Sequence, residues 1–292
     1  MKILILGGNG MLGHRFLCSW RDRHDVKVTL RTSIGAYGKT SIFTTDNSYE
    51  DVDVRNSERL EAIIRGFRPD AVVNAVGITK QLTDGSTIIP TIEVNALFPH
   101  RLAELCDMYG VRMVHMSTDC IFSGRSGLYD EQAISDAEDL YGRSKFLGEV
   151  NQSHVITLRK STIGLELAGA HGLVEWFLTQ RGKVQGFRKA IYSGLTSSEL
   201  ARVIEDILLN HQSLSGIWNI ASDPINKYDL LMQLTAKLGR DDVEIEPSDS
   251  FVCDRSLEGA AFCRQTGYAS PPWNAMLDEL ADQIRDREGT HV

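Results

Sequence analysis

The sequence predicts an α/β fold in which a doubly wound parallel sheet is covered by helices, with a smaller, mostly helical lobe at the C-terminal end. Three observations support this prediction. Apolar strand patterns alternate with helical patterns in the first half, their spacing is close to that of βαβ units, and the first strand ends in glycines. The 292 residues are 42% hydrophobic and 24% charged, which allows one large domain or two unequal ones.

The first half of the chain contains five strand patterns and four helix patterns in alternation. In chain order they are the strand KILILGG, the helix MLGHRFLCSWRD, the strand DVKVTLRT, the helix SERLEAIIRGF, the strand RPDAVVNAVG, the helix PTIEVNALFPHRLAELCDMYG, the strand VRMVHMSTDCIF, the helix YGRSKFLGEVNQ and the strand HVITLRKSTI. Such alternation predicts right-handed crossovers and a ligand site at the carboxyl ends of the strands.

Beyond about residue 160 the pattern becomes mainly helical. Short extended pieces such as GIWNIAS join four helix patterns, which are GLVEWFLTQRG, TSSELARVIEDILLN, NKYDLLMQLTAKLG and PPWNAMLDELADQIRDR. No linker rich in Pro or Gly separates this part from the first half, so we expect a close cleft between two lobes.

Composition argues against several classes of protein. The net charge is −8 with no basic block, which makes nucleic acid an unexpected partner. The apolar opening MKILIL is too short for a signal peptide or a membrane span. Five cysteines without a CxxC pair, and eight histidines without HxxxH or HExxH spacing, predict no disulfide framework and no metal site. We therefore expect a cytoplasmic protein.

The turn GGNGMLG places glycines at three-residue spacing between the first strand and the first helix. Glycine permits positive φ and close backbone approach, and the helix N-terminus offers free N–H groups to a pyrophosphate. A tight turn without a ligand is the alternative, but the strand–turn–helix context favours dinucleotide binding. The residues expected at the cofactor are Gly7, Asn9, Gly10, Met11, Leu12 and Gly13.

These features predict a Rossmann-type domain over residues 1–158, to which a segment at about 189–221 returns. Residues 159–188 and 222–292 are expected to form the substrate-binding lobe.

The end of the second strand predicts which dinucleotide binds. An NAD site usually offers a carboxylate there to the ribose 2′-OH, but this strand ends with Arg31 and Thr32, and Asp25 comes before it, on the wrong side. A guanidinium suits a 2′-phosphate, so we expect NADP(H) rather than NAD(H), the alternative being a solvated arginine.

Two further segments are expected beside the cofactor. Asp53 and Val54 are candidates for contact with the adenine, by a hydrogen bond and by apolar packing respectively. The third strand ends in small residues that would leave room for the ribose and pyrophosphate, namely Ala75, Val76 and Gly77.

Tyr141 and Lys145 lie four residues apart in YGRSKFLGE and so share one helix face. A nearby ammonium is expected to lower the pKa of the phenol, which could then give or take a proton, while Lys145 binds the nicotinamide ribose. Ser117, Thr118 and Asp119 end the fourth strand, where a hydroxyl can bind a substrate oxygen. A surface Tyr–Lys contact and a capping turn are the alternatives, but together with the glycine turn these residues predict hydride transfer at a carbonyl or alcohol carbon. Tyr141, Lys145 and Ser117 are also expected to contact the cofactor.

The segments GGNGMLG, MSTDCIFSG, YDEQ and YGRSKFLGE resemble the extended short-chain dehydrogenases/reductases, and within them the dTDP-4-dehydrorhamnose reductase group. AIYSGLTSSELARVI and CDRSLEGAAF extend the resemblance over essentially the whole chain. It implies a two-lobed fold with NAD(P)H in the N-terminal lobe and a nucleotide-sugar in the cleft. The implied reaction reduces a 4-keto-6-deoxyhexose in activated-sugar and polysaccharide biosynthesis, with Thr118, Tyr141 and Lys145 as the catalytic triad.

The chain departs from that group in its expected substrate region. The reductases usually carry a tyrosine where this chain has Cys120, and a tryptophan after an RTS-like strand where this chain has LRKSTIG. The candidate substrate-binding residues are Lys80, Thr118, Asp119, Tyr192 and Arg255, with Arg255 as a clamp for a diphosphate. Trp176 is more simply explained as a core aromatic residue.

Two other functions fit the same fold. One is a nucleotide-sugar 4-epimerase that retains NAD; a 4,6-dehydratase is less consistent because no Glu follows Asp119. The other is a non-catalytic, dinucleotide-binding regulatory subunit, against which the presence of the whole triad argues. Helices of this fold class often pair across a two-fold axis, so a homodimer is a possible assembly.

Overall fold

A computed structural model describes residues 1–38, 41–79 and 87–289. The strands of this described part are β1 (Lys2–Leu6), β2 (Asp25–Thr29), β3 (Ser48–Tyr49), β4 (Ala71–Asn74), β5 (Arg112–Met116), β6 (Val155–Arg159), β7 (Thr162–Ile163), β8 (Gly182–Phe187), β9 (Ala190–Tyr192), β10 (Leu195–Thr196), β11 (Gly216–Asn219), β12 (Ile225–Asn226), β13 (Val243–Ser248) and β14 (Cys253–Asp254).

The helices of the same part are α1 (Met11–Trp20), α2 (Ser57–Phe67), α3 (Ile88–Thr91), α4 (Phe98–Met108), α5 (Leu140–Leu147), α6 (Leu173–Thr179), α7 (Ser197–Asn210), α8 (Lys227–Leu238), α9 (Ala260–Thr266) and α10 (Trp273–Gly289). A π-helical turn, Ile92–Leu97, joins α3 to α4, and short 3₁₀ turns occupy Ile34–Tyr37 and Asp119–Ile121.

The main sheet has seven parallel strands in the order β11-β6-β5-β4-β1-β2-β3. The order reverses at β1, which pairs with β2 on one side and β4 on the other. In a sheet of this kind a ligand binds outside the carboxyl ends of the strands near the reversal. The predicted Rossmann-type fold is confirmed.

Helices cover both faces of this sheet, which explains why its strands are almost continuously apolar. Alternate residues of β1 enter two different cores. Ile3 and Ile5 pack in a core that includes Phe16 and Trp20 of α1, whereas Leu4 and Leu6 pack in the core formed by α2 and α4. Burial on both sides leaves no polar position in the middle of the strand.

The second half builds three small sheets beside the main one. β8 and β13 form a parallel pair, β9 lies between β12 and β14, and β10 pairs with β7. Of the segment predicted to return at about 189–221, β11 joins the main sheet, while β9 pairs with strands of the predicted substrate lobe. The lobe boundaries themselves stay a prediction. Within the described residues, no helix combines the length and apolarity needed to cross a membrane.

Gly13 allows the closest backbone contact in the first turn. A Cβ atom at this position would lie 2.1 Å from the Gly7 carbonyl oxygen, and that backbone oxygen cannot move aside cheaply. Gly66, on the exposed side of α2, has no heavy atom within 4 Å of the corresponding Cβ position and provides a matched comparison.

We therefore expect Gly13→Ala to lower the free energy of unfolding by about 1–3 kcal/mol through steric strain. Gly66→Ala should raise it by up to about 1 kcal/mol, because alanine is the better helix former. Urea denaturation of both variants would measure the difference. Equal effects of the two substitutions would contradict the proposed contact.

Candidate active site

The glycine turn forms a cradle between β1 and α1. Gly7 has φ +84°, and its carbonyl accepts a hydrogen bond from the Gly10 N–H at 3.1 Å. No side chain caps the N-terminus of α1 at Gly10, so the first N–H groups of the helix stay available to an anion. Gly10 is exposed, and Asn9 and Met11 are half-buried beside it. A pyrophosphate fits such a cradle, and a Cβ atom at Gly13 would collide with the backbone that forms it.

Two of the predicted cofactor residues, Leu12 and Gly13, have different surroundings. Leu12 is buried in the core beneath the turn and Gly13 contacts Gly7, so both shape the cradle from behind. His14, which the sequence analysis did not assign, is buried and its Nδ1 lies 2.9 Å from the Gly10 carbonyl oxygen. Burial lowers the pKa of His14 to about 4, so the neutral ring donates its proton to that carbonyl.

The residues predicted around the adenosine lie beyond the ends of β2 and β3. Arg31 and Thr32 are exposed. The Asp53 carboxylate is bound by the Arg55 guanidinium at 2.6 Å, which together with the effect of nearby Arg31 holds the pKa of Asp53 at about 2. Val54 is buried in the α2–α4 core. The Arg31 guanidinium is thus left facing solvent, whereas Asp53 already has a partner.

The loop after β4 lies directly against the glycine turn. A methyl group of Val76 would be 3.0 Å from a Cβ atom placed on Gly7, and Ala75 and Gly77 are half-buried and exposed respectively. The three small residues therefore lie where the sequence analysis expected them, at the carboxyl edge of the sheet.

Asn95 connects this loop to helix α5, and the sequence analysis did not identify it. Its side chain exchanges two hydrogen bonds of 2.8 Å with the backbone of Ile78 and donates a third to the Ser144 hydroxyl at 3.2 Å. Asn95 lies on the π-helical turn Ile92–Leu97, and such turns often occur at functional sites. The sequence carries no local signal for the turn, because it depends on the neighbouring loop.

Thr118 and Tyr141 meet at the carboxyl end of β5. The Thr118 hydroxyl accepts a hydrogen bond from the Cys120 N–H and donates one to the Asp119 carboxylate, both at 3.1 Å. Helix α5 begins after Asp139, whose carboxylate accepts a hydrogen bond from the Gly142 N–H at 2.8 Å. This cap places Tyr141 in the first turn, where its phenol interacts with the Thr118 side chain.

Lys145 is buried one turn further along α5. Its ammonium donates a 2.6 Å hydrogen bond to the Met116 carbonyl at the end of β5. Burial, with a smaller contribution from the Lys160 ammonium, lowers the pKa of Lys145 to about 7. The amine is therefore close to half-protonated at neutral pH.

The expected lowering of the phenol pKa by Lys145 is wrong for this structure. Burial raises the pKa of Tyr141 well above its usual value, and the hydrogen bond with Thr118 only partly opposes this effect. The ammonium of Lys145 donates to the Met116 carbonyl, and desolvation is the largest effect on the phenol. Tyr141 is consequently a protonated group at neutral pH.

Ser117 belongs to a buried network rather than to an open position in the cleft. Its hydroxyl donates a 2.7 Å hydrogen bond to the Glu149 carboxylate, which forms a two-point ion pair with Arg159 at 2.9 and 2.8 Å. The side chains of Glu149 and Arg159 are almost completely buried. The predicted contact of Ser117 with the cofactor stays a prediction, and its hydroxyl already has a partner.

A cavity of about 600 Å³ opens beside the segments that follow Thr118 and precede Tyr141. Its lining residues come from the segment after β5, the approach to α5 and the segment around β14: Cys120, Phe122, Ser123, Gly124, Arg125, Ala137, Glu138, Asp139, Val252 and Arg255. Within the cavity wall, the Arg255 Nε donates a 2.8 Å hydrogen bond to the Phe122 carbonyl. Among residues 1–38, 41–79 and 87–289, no group of three or more His, Cys, Asp or Glu side chains is arranged to hold a metal ion.

The other predicted substrate residues differ in burial and in their contacts. Asp119 is buried next to Thr118, and burial raises the pKa of its carboxyl group. Tyr192 is buried and packs edge-on against Trp273, with 5.5 Å between the ring centroids. Its hydroxyl has no hydrogen-bond partner within the described chain. Lys80 lies outside the described residues. Trp176 was expected in the core, but it is 37% exposed because α6 turns the opposite face, with Val174 and Phe177, inwards.

Comparison with known proteins identifies the family of the chain. The family model described as the RmlD substrate binding domain matches residues 1–163. A dTDP-4-dehydrorhamnose reductase of Aggregatibacter actinomycetemcomitans is 24% identical over 250 residues, which cover 80% of this chain and 78% of that protein. A dTDP-4-keto-6-deoxy-D-glucose reductase of Streptomyces niveus is 23% identical over 280 residues, 92% of this chain and 89% of the other.

Solved structures share the fold at low identity. The dTDP-4-dehydrorhamnose reductase of Bacillus anthracis in complex with NADP matches with a TM-score of 0.77 and 18% identity, covering 97% of this chain and 99% of that one. L-threonine 3-dehydrogenase of Trypanosoma brucei matches with a TM-score of 0.82 and 15% identity, covering 98% of both chains. The fold alone therefore does not specify the substrate. By its family match over residues 1–163, the chain belongs to the RmlD substrate binding domain family, as an extended short-chain dehydrogenase/reductase similar to the dTDP-4-dehydrorhamnose reductases.

Proposed function

We propose that this protein uses NADPH to reduce the 4-keto group of a nucleotide-linked 4-keto-6-deoxyhexose, in the synthesis of activated sugars for polysaccharides. The observation that carries the proposal is the hydrogen bond between Thr118 and Tyr141 at the carboxyl edge of the sheet, with Lys145 one turn further along α5 and bound to the end of β5. The reductase activities of the relatives from A. actinomycetemcomitans and S. niveus support the same reaction class.

The chain's own residues suit the binding of a dinucleotide. Gly7, Gly10 and Gly13 provide the cradle for a pyrophosphate, and the uncapped start of α1 provides N–H donors. Arg31 is available to a 2′-phosphate because it faces solvent. Bound NADPH would supply the hydride to the keto carbon.

The proton would come from Tyr141. As a hydride adds to the carbonyl carbon, the electron pair of the C=O π bond moves to oxygen, which takes the phenolic proton. Burial keeps the pKa of Tyr141 high, so the proton donor is present at neutral pH. The Thr118 hydroxyl would hydrogen-bond the same oxygen, and the charged form of Lys145 would stabilise the phenolate until solvent returns the proton.

The cavity beside Cys120 would hold the nucleotide-sugar. Arg255 can bind a diphosphate through the terminal nitrogens of its guanidinium, since only Nε is used in its hydrogen bond to Phe122. Asp119, which directly precedes Cys120 and acts electrostatically on Tyr192, would contact the sugar together with Tyr192.

The first test is Tyr141→Phe, which removes the proton donor and keeps the ring. We expect kcat for NADPH oxidation with a dTDP-4-keto-6-deoxyhexose to fall by about 10²–10⁴, the usual contribution of a positioned acid. NADPH binding should persist. Tyr109→Phe, which alters a hydroxyl bound to Glu61 at the end of α4, is the matched control and should keep full activity.

The same assay separates the reductase from its rivals. Stoichiometric loss of NADPH absorbance with formation of a 4-hydroxy sugar supports the reductase. Interconversion of 4-hydroxy epimers without net cofactor consumption would instead identify an epimerase. A Tyr141→Phe protein that binds NADPH and retains all biological function would favour a regulatory subunit.

The second test concerns the choice of cofactor. Because charge-assisted hydrogen bonds contribute about 1.5–3 kcal/mol, Arg31→Asp should lower kcat/KM for NADPH by about 10–100-fold. The value for NADH should change little or rise. Arg264→Asp, on exposed α9 surface, serves as the charge-matched control. An unchanged ratio between the two cofactors in Arg31→Asp would refute the assignment.

The third test is the pH dependence of turnover. Because the pKa of Lys145 is lowered to about 7, its charged form is lost as the pH rises through 7, and kcat should decline above that pH. The pKa of Tyr141 is raised, so loss of the phenolic proton does not cause this decline. Lys145→Arg, which stays charged, should move the decline to higher pH. A flat profile between pH 6 and 9 in the wild type would disprove the role given to the ammonium.

A further inference from the structure

Lys160 is a second lysine at the candidate active site. It directly follows β6, and its carbonyl accepts a hydrogen bond from the Asp119 N–H at 3.2 Å, which fixes the ends of β5 and β6 side by side. Its side chain is half-buried and interacts electrostatically with Asp119 and Cys120. The ammonium is also close enough to Lys145 to affect its pKa. Lys160 therefore lies at the carboxyl edge of the sheet, as Tyr141 and Thr118 do.

The Lys160 ammonium has no protein partner in the described part of the chain: it donates no hydrogen bond there and forms no ion pair. Asp119 is the acidic residue that acts electrostatically on Lys160. It is itself buried, and its carboxylate accepts a hydrogen bond from Thr118. A partly desolvated cation is costly unless it is paired. A residue kept for folding alone would be expected to have such a pair.

Arg255 is a second cation of this region whose hydrogen-bonding capacity is only partly used. Its Nε is bound to the Phe122 carbonyl, but its two terminal nitrogens donate to no described residue. Arg255 and Lys160 both interact electrostatically with Asp119 and Cys120. The two cations thus flank the turn that follows Thr118, and Arg255 lines the 600 Å³ cavity together with Cys120.

We propose that Lys160 joins Arg255 in an anion-binding subsite at the candidate active site, where it binds an anionic oxygen group of the substrate. The group is the diphosphate of the nucleotide-sugar or, where the sugar is a uronate instead of a 6-deoxyhexose, the sugar carboxylate. Lys160 is thereby a specificity-determining residue of the proposed reaction. The identity of the ligand as a nucleotide-sugar rests on the proposed function, whereas the anion site itself is testable without turnover.

The experiment measures equilibrium binding by calorimetry in the presence of NADPH. The probes are dTDP, dTDP-glucose and dTDP-glucuronate, which separate the diphosphate from a sugar carboxylate. The variants are Lys160→Met, which removes the charge and keeps the length, and Lys160→Arg, which keeps the charge. Lys189→Met, at an exposed lysine between β8 and β9, is the control.

We expect Lys160→Met to weaken binding by about 10–100-fold, as for loss of a charged hydrogen bond. Lys160→Arg and Lys189→Met should bind as the wild type does, within a few-fold. A loss shared by all three probes assigns the diphosphate to Lys160, and a loss confined to dTDP-glucuronate assigns a carboxylate. NADPH affinity should not change.

Unaltered affinity of Lys160→Met for every probe would overturn the proposal, as would a wild-type protein that binds none of them. Since Lys160 has no protein partner, Lys160→Met should unfold at the same temperature as the wild type or higher. Arg255→Gln tests the other half of the subsite independently and should weaken the same probes. A protein that binds these probes through Lys160 but reduces no 4-keto sugar would keep the subsite and lose only the proposed function.

Discussion

The buried ion pair between Glu149 and Arg159 is the constraint on which the candidate site depends. Arg159 ends β6, Glu149 follows α5, and the Ser117 hydroxyl at the end of β5 donates to the same carboxylate. Breaking a buried pair by removing one partner typically costs about 3–5 kcal/mol, because the other charge is left uncompensated. The pair therefore fixes α5 over the ends of two central strands, and with it Tyr141 and Lys145.

Desolvation, more than contact between charges, sets the protonation of this site. Burial raises the pKa of Tyr141 and of Asp119 and lowers those of Lys145 and Lys160. Each shift favours the neutral form, as expected where water is excluded.

Local patterns in the sequence were sufficient for the parts of the site that local geometry builds. The glycine spacing predicted the cradle, and the i, i+4 spacing placed Tyr141 and Lys145 on one helix. Contacts between distant segments gave no such signal. Asn95 binds the loop after β4, and Lys160 and Arg255 come to act on the same turn, Asp119 and Cys120, only in the folded chain. The prediction that Trp176 lies in the core was wrong because a helix as short as α6 buries only a narrow face. The pKa of Tyr141 depends on burial, which spacing does not reveal.

The outer strand of the main sheet has a consequence for how the chain is made. β11 completes the sheet beside β6, yet it lies well beyond residue 163, where the family match ends. During synthesis β6 emerges long before β11, so one side of its backbone stays unpaired while β7 to β10, α6 and α7 are still being translated. An exposed strand of this kind is a template for pairing with another chain. Premature termination in this interval would thus yield a product that aggregates rather than an independent nucleotide-binding fragment.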